Sequence, residues 1–402
     1  MNLPKAINEL EFSHGSIYGE EEREAVLEVM NASAPSCGPR VKAFEEAFAA
    51  YCGTSYGLAV TSATAGLELA MIASGIGPGD EVITTPVSWI STANVITSLG
   101  AKAVFADIDP DTLNIDPDCI AAKITERTKL ILPVHLYGQC CQMDEINALA
   151  AKHNLLVVED AAHAAGAAYK DRKAGSLGDI GVFSFHQQKN MVTLGEGGMI
   201  TTSNLALYER MLSYRSLCCR TYDPKGKYLP IDESKHPMGK RYWYLEFDGI
   251  GFNFRMTDIQ AAVGLVQLKR LETLNARRRE IAHRYSEALS KIPGLGLLRQ
   301  TPDTTHSFHV FAVLVQPDFP VDKEEFMWEL YTKKGIKVWS HYMPIHLTEV
   351  YRNLGHFDGE CPIAEGRFEQ YVSLPIHPRM TDAAVDYVIE SIRELRLRGA
   401  TT

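Results

Sequence analysis

Short, nearly continuous apolar runs alternate with helix-length segments along the first half of the chain. Residues 81–85 (EVITT), 103–107 (AVFAD), 130–134 (LILPV), 155–158 (LLVV) and 180–185 (IGVFSF) read as strands. Most are apolar on both alternating sets of positions, as a strand covered on both faces must be. Between them, residues 65–73, 92–99 and 144–153 have helical length. Strand and helix in alternation predict a parallel sheet with covering helices, an α/β fold. Ligands of such sheets bind beyond the carboxyl ends of the strands.

The pattern changes near Thr221. Residues 221–240 are rich in Pro, Gly and charge and read as a long loop. Thr257 followed by Gln260 is a capping box. After it Ile259, Val263 and Val266 repeat at helical spacing, and charge increases from Lys269. Residues 308–315 read as a strand, and Val385, Val388, Ile389 and Ile392 mark a C-terminal helix. The expected organisation is a large domain over 1–265 and a smaller α+β domain over 266–402. Residues 1–15 are expected to pack on the small domain.

Composition narrows the function classes. The chain has 402 residues, 46% hydrophobic and 22% charged, an ordinary soluble balance. A formal net charge of -10 argues against sequence-independent nucleic-acid binding and against anionic membranes. No run of eighteen apolar residues predicts a span, and residues 1–12 carry no apolar signal core. The eight cysteines include no C-x-x-C pair and read as reduced, mostly buried thiols. Together these features predict a cytoplasmic protein.

Four segments carry chemistry. In Val157-Val158-Glu159-Asp160, a strand ends in a carboxylate that reads equally as a helix cap or as a ligand group. In Phe183-Ser184-Phe185-His186-Gln187-Gln188-Lys189, a lysine follows a buried strand and precedes Gly195-Glu196-Gly197-Gly198. A lone lysine is usually a solvated charge, but near a buried ligand it loses its proton and becomes a nucleophile. Ser62, Ala63 and Thr64 open a helix, either as plain capping or as an anion site. Trp89 follows a strand end and either stacks on a flat ligand or fills core. Gly75 to Asp80 (GIGPGD) is no dinucleotide loop, because it follows a helix and ends in Asp. His341 and His346 straddle Pro344 and share no helix face, so no metal site is expected.

Taken together, these segments resemble the pyridoxal-phosphate-dependent sugar aminotransferases of the DegT/StrS family, of fold type I. The stretch EDAAHAAGAAYKDRKAGSLGDIGVFSFHQQKNMVTLGEGG is the most specific, and SATAGLELA, GPGDEVITTPVSWISTANVI, PVHLYGQ, GFNFRMTDIQAAVGLVQL and SLPIHPRMT agree with it. Within the family, EDAAHA, FSFH-x-x-KN and ARRREIAHRY resemble the branch that aminates the 4-keto pentose of a UDP-sugar for lipid A modification. Differences around Asn253 and over 341–344 depart from that branch.

The resemblance implies that Lys189 carries pyridoxal phosphate as a Schiff base and that Asp160 pairs with the pyridine nitrogen. It places His163 near the phenolic oxygen and Trp89 against the ring. Ser62, Ala63, Thr64 and Ser184 would hold the phosphate, Ala63 through its backbone because many relatives have Gly there. Asn253 would reach the phosphate of a neighbouring subunit, which implies a homodimer with shared sites. Trp243, Tyr244, His341 and Tyr342 are candidates for the acceptor site. The implied reaction moves an amino group from L-glutamate or L-glutamine to a ketosugar, most simply a nucleotide-linked 4-keto sugar. A cyclitol or non-nucleotide sugar ketone is the alternative acceptor. A catalytically silent binding homologue is the alternative of another class. A dehydratase would carry His where Lys189 stands.

Overall fold

Seven strands build the central sheet in the computed structural model, which describes residues 10, 15–32, 36–236 and 238–398. They are β1 (Tyr56–Val60), β2 (Glu81–Thr84), β3 (Lys102–Phe105), β4 (Thr128–Leu132), β5 (Leu156–Asp160), β6 (Ile180–Ser184) and β7 (Gly198–Thr202). Their spatial order is β1-β7-β6-β5-β4-β2-β3. All run parallel except β7, which is antiparallel to both neighbours, β1 and β6. A mostly parallel α/β sheet is what the apolar runs predict. The reversal of β7 is the exception, and residues 185–197, which link it to β6, carry Lys189.

Burial follows the two-residue period of the strands. Val60, Val82, Leu130, Val158, Val182 and Ile200 join the core on one face. Ala59, Ile83, Ile131, Val157, Phe183 and Met199 join the core on the other, beneath Phe44, Phe48 and Leu271. All eight cysteines are free thiols, and seven of them are buried.

The helix Asp258–Leu289 opens with the expected box. The Thr257 hydroxyl accepts the Gln260 N–H at 3.4 Å, and Gln260 Oε1 accepts the Thr257 N–H at 3.1 Å. Ala261 and Leu271 of this helix belong to the sheet's core, whereas Ile281, Tyr285 and Leu289 enter a third core. There an antiparallel sheet of β8 (Leu295–Leu297), β9 (Phe311–Val315) and β10 (Tyr371–Leu374) packs with the helices Lys323–Lys334 and Asp382–Arg398. The strand expected over 308–315 begins only at Phe311. Phe308 has φ 46°, and the His309 N–H bonds to the Tyr137 carbonyl at 2.9 Å, outside any ladder. The segment read as a loop over 221–240 contributes to a small sheet of Cys219–Thr221, Leu229–Pro230 and Leu245–Phe247. Its Pro and Gly content limits each strand to two or three residues, and pairing depends on partners outside the segment. The segment 1–15 lies mostly outside the described residues. Leu10 sits in the third core, and its carbonyl accepts the Lys337 N–H at 3.2 Å.

One glycine brings β7 against the start of the helix Ala63–Ala73. A Cβ on Gly198 would lie 2.6 Å from the Ser62 carbonyl carbon and 2.8 Å from the Ala63 nitrogen. Both are backbone atoms and cannot rotate aside. Gly198→Ala is therefore expected to destabilise the protein by about 1–3 kcal/mol through overpacking. Urea midpoints of the two proteins check this, and equal midpoints would refute it.

Candidate active site

β5 ends in two carboxylates that alternation sends to opposite faces of the sheet. Glu159 is fully buried. Its Oε1 accepts the N–H groups of Leu177 and Gly178, each at 2.7 Å, and its Oε2 accepts that of Gly175 at 2.7 Å. His135 Nε2 lies 2.9 Å from Oε2. The Cys141 N–H points at His135 Nδ1 at 3.2 Å, so Nδ1 keeps a lone pair and Nε2 donates to Glu159. Asp160 faces the cavity at the strand's carboxyl end. Its Oδ2 accepts from the Thr92 hydroxyl at 2.7 Å, and its Oδ1 accepts the Ala162 N–H at 3.1 Å. Ser88 in turn donates to Thr92 at 2.8 Å. Burial pushes the Asp160 carboxyl up from its ordinary range, and these two hydrogen bonds and the charge of Lys189 oppose that rise.

Lys189 stands in the β6–β7 connection, which is folded back on itself. The Phe185 N–H bonds to Gly197 at 2.8 Å, Gln187 to Gly195 at 2.9 Å, and Lys189 to His186 at 2.8 Å. Asn190 then anchors the turn: its Nδ2 donates to Asn275 Oδ1 and to the Ser307 carbonyl, both at 2.8 Å. Asn275 donates to the Ala165 carbonyl at 2.9 Å, and the Ser307 hydroxyl to the His163 carbonyl at 3.0 Å. Gly138 (φ 98°) leaves room for this, since its Cβ would lie 2.2 Å from Ser307 Oγ. Burial lowers the Lys189 amine to about 8, with the nearby Asp160 charge opposing the fall.

Both residues open into a cavity of about 540 Å³ also lined by Ser62, Ala63, Thr64, Trp89, His163, Ser184, His341 and Tyr342. The cavity thus brings together ten of the sequence-predicted residues. Ser62 caps the helix by accepting the Ala65 N–H at 3.2 Å. The N–H groups of Ala63 and Thr64 lie in the first turn, where the helix offers them no acceptor. Trp89 is 61% exposed, so a flat ligand has access to its indole. His163 Nδ1 accepts the Tyr137 N–H at 3.3 Å, which leaves the ring proton on Nε2, 3.3 Å from the Tyr342 hydroxyl. His341 Nδ1 lies 2.9 Å from Ser373 Oγ, and burial lowers this imidazole to about 3. Asn253, Trp243 and Tyr244 do not line this cavity.

Several site residues escape a reading by motif. Thr92, which holds Asp160, sits inside a segment read only as helix. Lys337 and Trp339, which flank Val338 of the third core, also line the cavity. No ion pair forms at Lys337 among the described residues. His309, whose Nε2 lies 3.5 Å from Lys189 Nζ, stands just before β9.

The donor set fits pyridoxal phosphate. A buried carboxylate and an amine of lowered basicity face one cavity, an open indole flanks it, and unpaired N–H groups at a capped helix start suit a phosphate.

The Lys189 environment also sets a pH dependence. Below about pH 8 the residue is charged in folded and unfolded protein alike, and its burial costs stability. Between about 8 and 10.5 the folded protein has released that proton while the unfolded chain retains it, so this contribution to stability rises with pH. Without cofactor, Lys189→Met is expected to be more stable than the parent at neutral pH, with the gap closing across that window. Urea unfolding at stepped pH measures it, and a pH-independent gap would contradict the assignment.

The chain is similar to known proteins along almost its full length. Residues 16–393 match the profile of the DegT/DnrJ/EryC1/StrS aminotransferase family. The spore coat polysaccharide biosynthesis protein SpsC of Bacillus subtilis is 41% identical over 391 residues, 96% of either chain. The Streptomyces enzyme DesV, solved with a ketimine intermediate, superposes with a TM-score of 0.83 at 34% identity, covering 93% of this chain and 94% of DesV. PseC of Helicobacter pylori, an aminotransferase involved in pseudoaminic acid biosynthesis, gives a TM-score of 0.87 at 31% identity, covering 97% and 99%. Sequence, fold and the Lys189–Asp160 cavity agree: this chain belongs to the DegT/DnrJ/EryC1/StrS aminotransferase family and is a pyridoxal-phosphate-dependent sugar aminotransferase of fold type I.

Proposed function

We propose that the enzyme moves the amino group of L-glutamate, or of L-glutamine, to the ketone of a nucleotide-linked 4-keto sugar. The observation that carries this is the single cavity in which Lys189 and Asp160 meet beneath an exposed Trp89, with the cation Lys337 also lining it. Glutamate and a nucleotide sugar are both anions, whereas glutamine is net neutral, and a cation lining the cavity favours the two anions. The relatives SpsC and PseC are named for spore coat polysaccharide and pseudoaminic acid biosynthesis, which supports a nucleotide-linked sugar more than the lipid A pentose.

Bound pyridoxal phosphate supplies the electron sink and holds the amino group between the two half-reactions. The chain's own residues do the rest. Asp160, held by Thr92 and Ala162, keeps a proton on the pyridine nitrogen. Lys189 anchors the cofactor and then moves protons as an amine already within reach. His163 would offer its Nε2–H to the cofactor's phenolic oxygen, and Trp89 would pack on its ring. Ser62, Ala63, Thr64 and Ser184 take the phosphate at the helix start. His341 and Tyr342 border the acceptor.

Asn253, Trp243 and Tyr244 belong to a projecting segment on which Tyr242 is 82% and Ile250 93% exposed. That apolar surface supports a homodimer in which Asn253 reaches the partner's phosphate and Trp243 and Tyr244 its acceptor site. No described helix is long and apolar enough to cross a membrane. With the acidic composition, this supports a cytoplasmic enzyme. A silent binding homologue would have no need for the complete set of Lys189, Asp160 and Trp89.

The test follows the visible absorbance of the lysine-bound cofactor. Glutamate or glutamine should bleach it, and a nucleotide-linked 4-keto sugar should restore it. Restoration only by cyclitol ketones or free sugars would overturn the proposed acceptor. Lys189→Arg should lose both the band and turnover, and retained turnover would end the assignment of Lys189.

A further inference from the structure

His309 meets the Lys189 amine from the segment just before β9. Its Nε2 lies 3.5 Å from Nζ, and its ring centroid is 4.5 Å from that of His163. Its backbone N–H is tied to the Tyr137 carbonyl at 2.9 Å, and Ser307, two residues earlier, is locked to Asn190 and to the His163 carbonyl. The imidazole is thus fixed relative to the lysine by the same network that fixes the turn carrying Lys189.

The tautomer follows from where the other ring nitrogen lies. His309 Nδ1 is buried and has no hydrogen-bond partner among the described residues. A buried N–H without an acceptor is rarer and costlier than a bare ring nitrogen. The proton therefore belongs on Nε2, aimed at Lys189 Nζ. An N–H can donate to that atom only when it has a lone pair, so the contact selects the uncharged amine. Protonation of the imidazole is opposed chiefly by burial and then by the charges of Lys189 and Arg278.

We infer that His309 is a positioning residue for Lys189: its Nε2–H holds the amine once that amine has released its proton. The amine is then held in the form that takes up a proton. The other groups facing Lys189 act differently. Asp160 favours the ammonium, whereas the Lys189 charge opposes protonation of His163, His186 and His341. The inference rests on Lys189 being the reactive lysine, as proposed above.

The test uses cofactor-free protein and no turnover. Competitive acetylation of Lys189 with acetic anhydride across a pH series, read by mass spectrometry, gives the ionisation midpoint of this amine. His309→Phe keeps the ring's bulk and removes the donor. Its midpoint should move up by about one unit, a tenfold change in the ionisation constant. His309→Gln restores an N–H donor and should return the midpoint toward that of the parent. A ring that merely fills space predicts the opposite sign for His309→Phe, because phenyl desolvates the ammonium further. An unchanged or lowered midpoint would overturn the inference. Should the Phe variant not fold, histidine ¹⁵N shifts in the parent protein, taken above the Lys189 midpoint, decide the matter: a proton on Nδ1 of His309 overturns it, and one on Nε2 supports it. Neither readout depends on the sugar acceptor. Failure of the acceptor screen, or turnover by Lys189→Arg, is thus distinguishable from failure here.

Discussion

The structure depends on a charge buried beneath its own active site. Glu159 lies at the end of β5 with no access to solvent, and such a carboxylate is tolerable only when its oxygens are satisfied. Three backbone N–H groups from residues 175–178 and one imidazole satisfy them. Those bonds fix the entry to β6 and the segment after β4 at once. Strand alternation does the rest, since anchoring Glu159 below commits the next side chain, Asp160, to the cavity above. The position of the Asp160 carboxylate is thus set largely by its structural neighbour.

A second network performs the same service for the amine. Asn190 joins the Lys189 turn to Asn275 on the long helix and to Ser307 ahead of β9, and Ser307 reaches back to the His163 carbonyl. The Lys189 turn and His163 are therefore held to one another through Asn190 and Ser307, side chains from separate parts of the chain. The electrostatics follow from the resulting enclosure. Burial lowers the amine toward neutrality, raises Asp160, and keeps His163, His309 and His341 uncharged. A lysine whose basicity lies near the working pH is suited to both attack and proton transfer.

Much of this was legible along the chain. The apolar runs mark five of the seven central strands, because strands covered on both faces allow no polar alternation. Strand ends then point to Asp160 and Lys189, and the Thr257–Gln260 box marks the long helix. β1 and β7 were not apparent, and nothing local announces that β7 runs against its neighbours. The segment over 221–240 looks structureless because its short strands pair with residues outside it.

What the sequence by itself determined is therefore the layered α/β architecture and the residues that a strand end or a cap places at the crevice. Those follow from periodicity and local backbone chemistry, which act over a few positions. Thr92 on Asp160, Asn190 on Asn275, His309 against Lys189, and Lys337 with Trp339 at the cavity were decided only by tertiary structure. Each joins residues tens to hundreds of positions apart, and such contacts exist only once the sheet, the long helix and the third core have packed together.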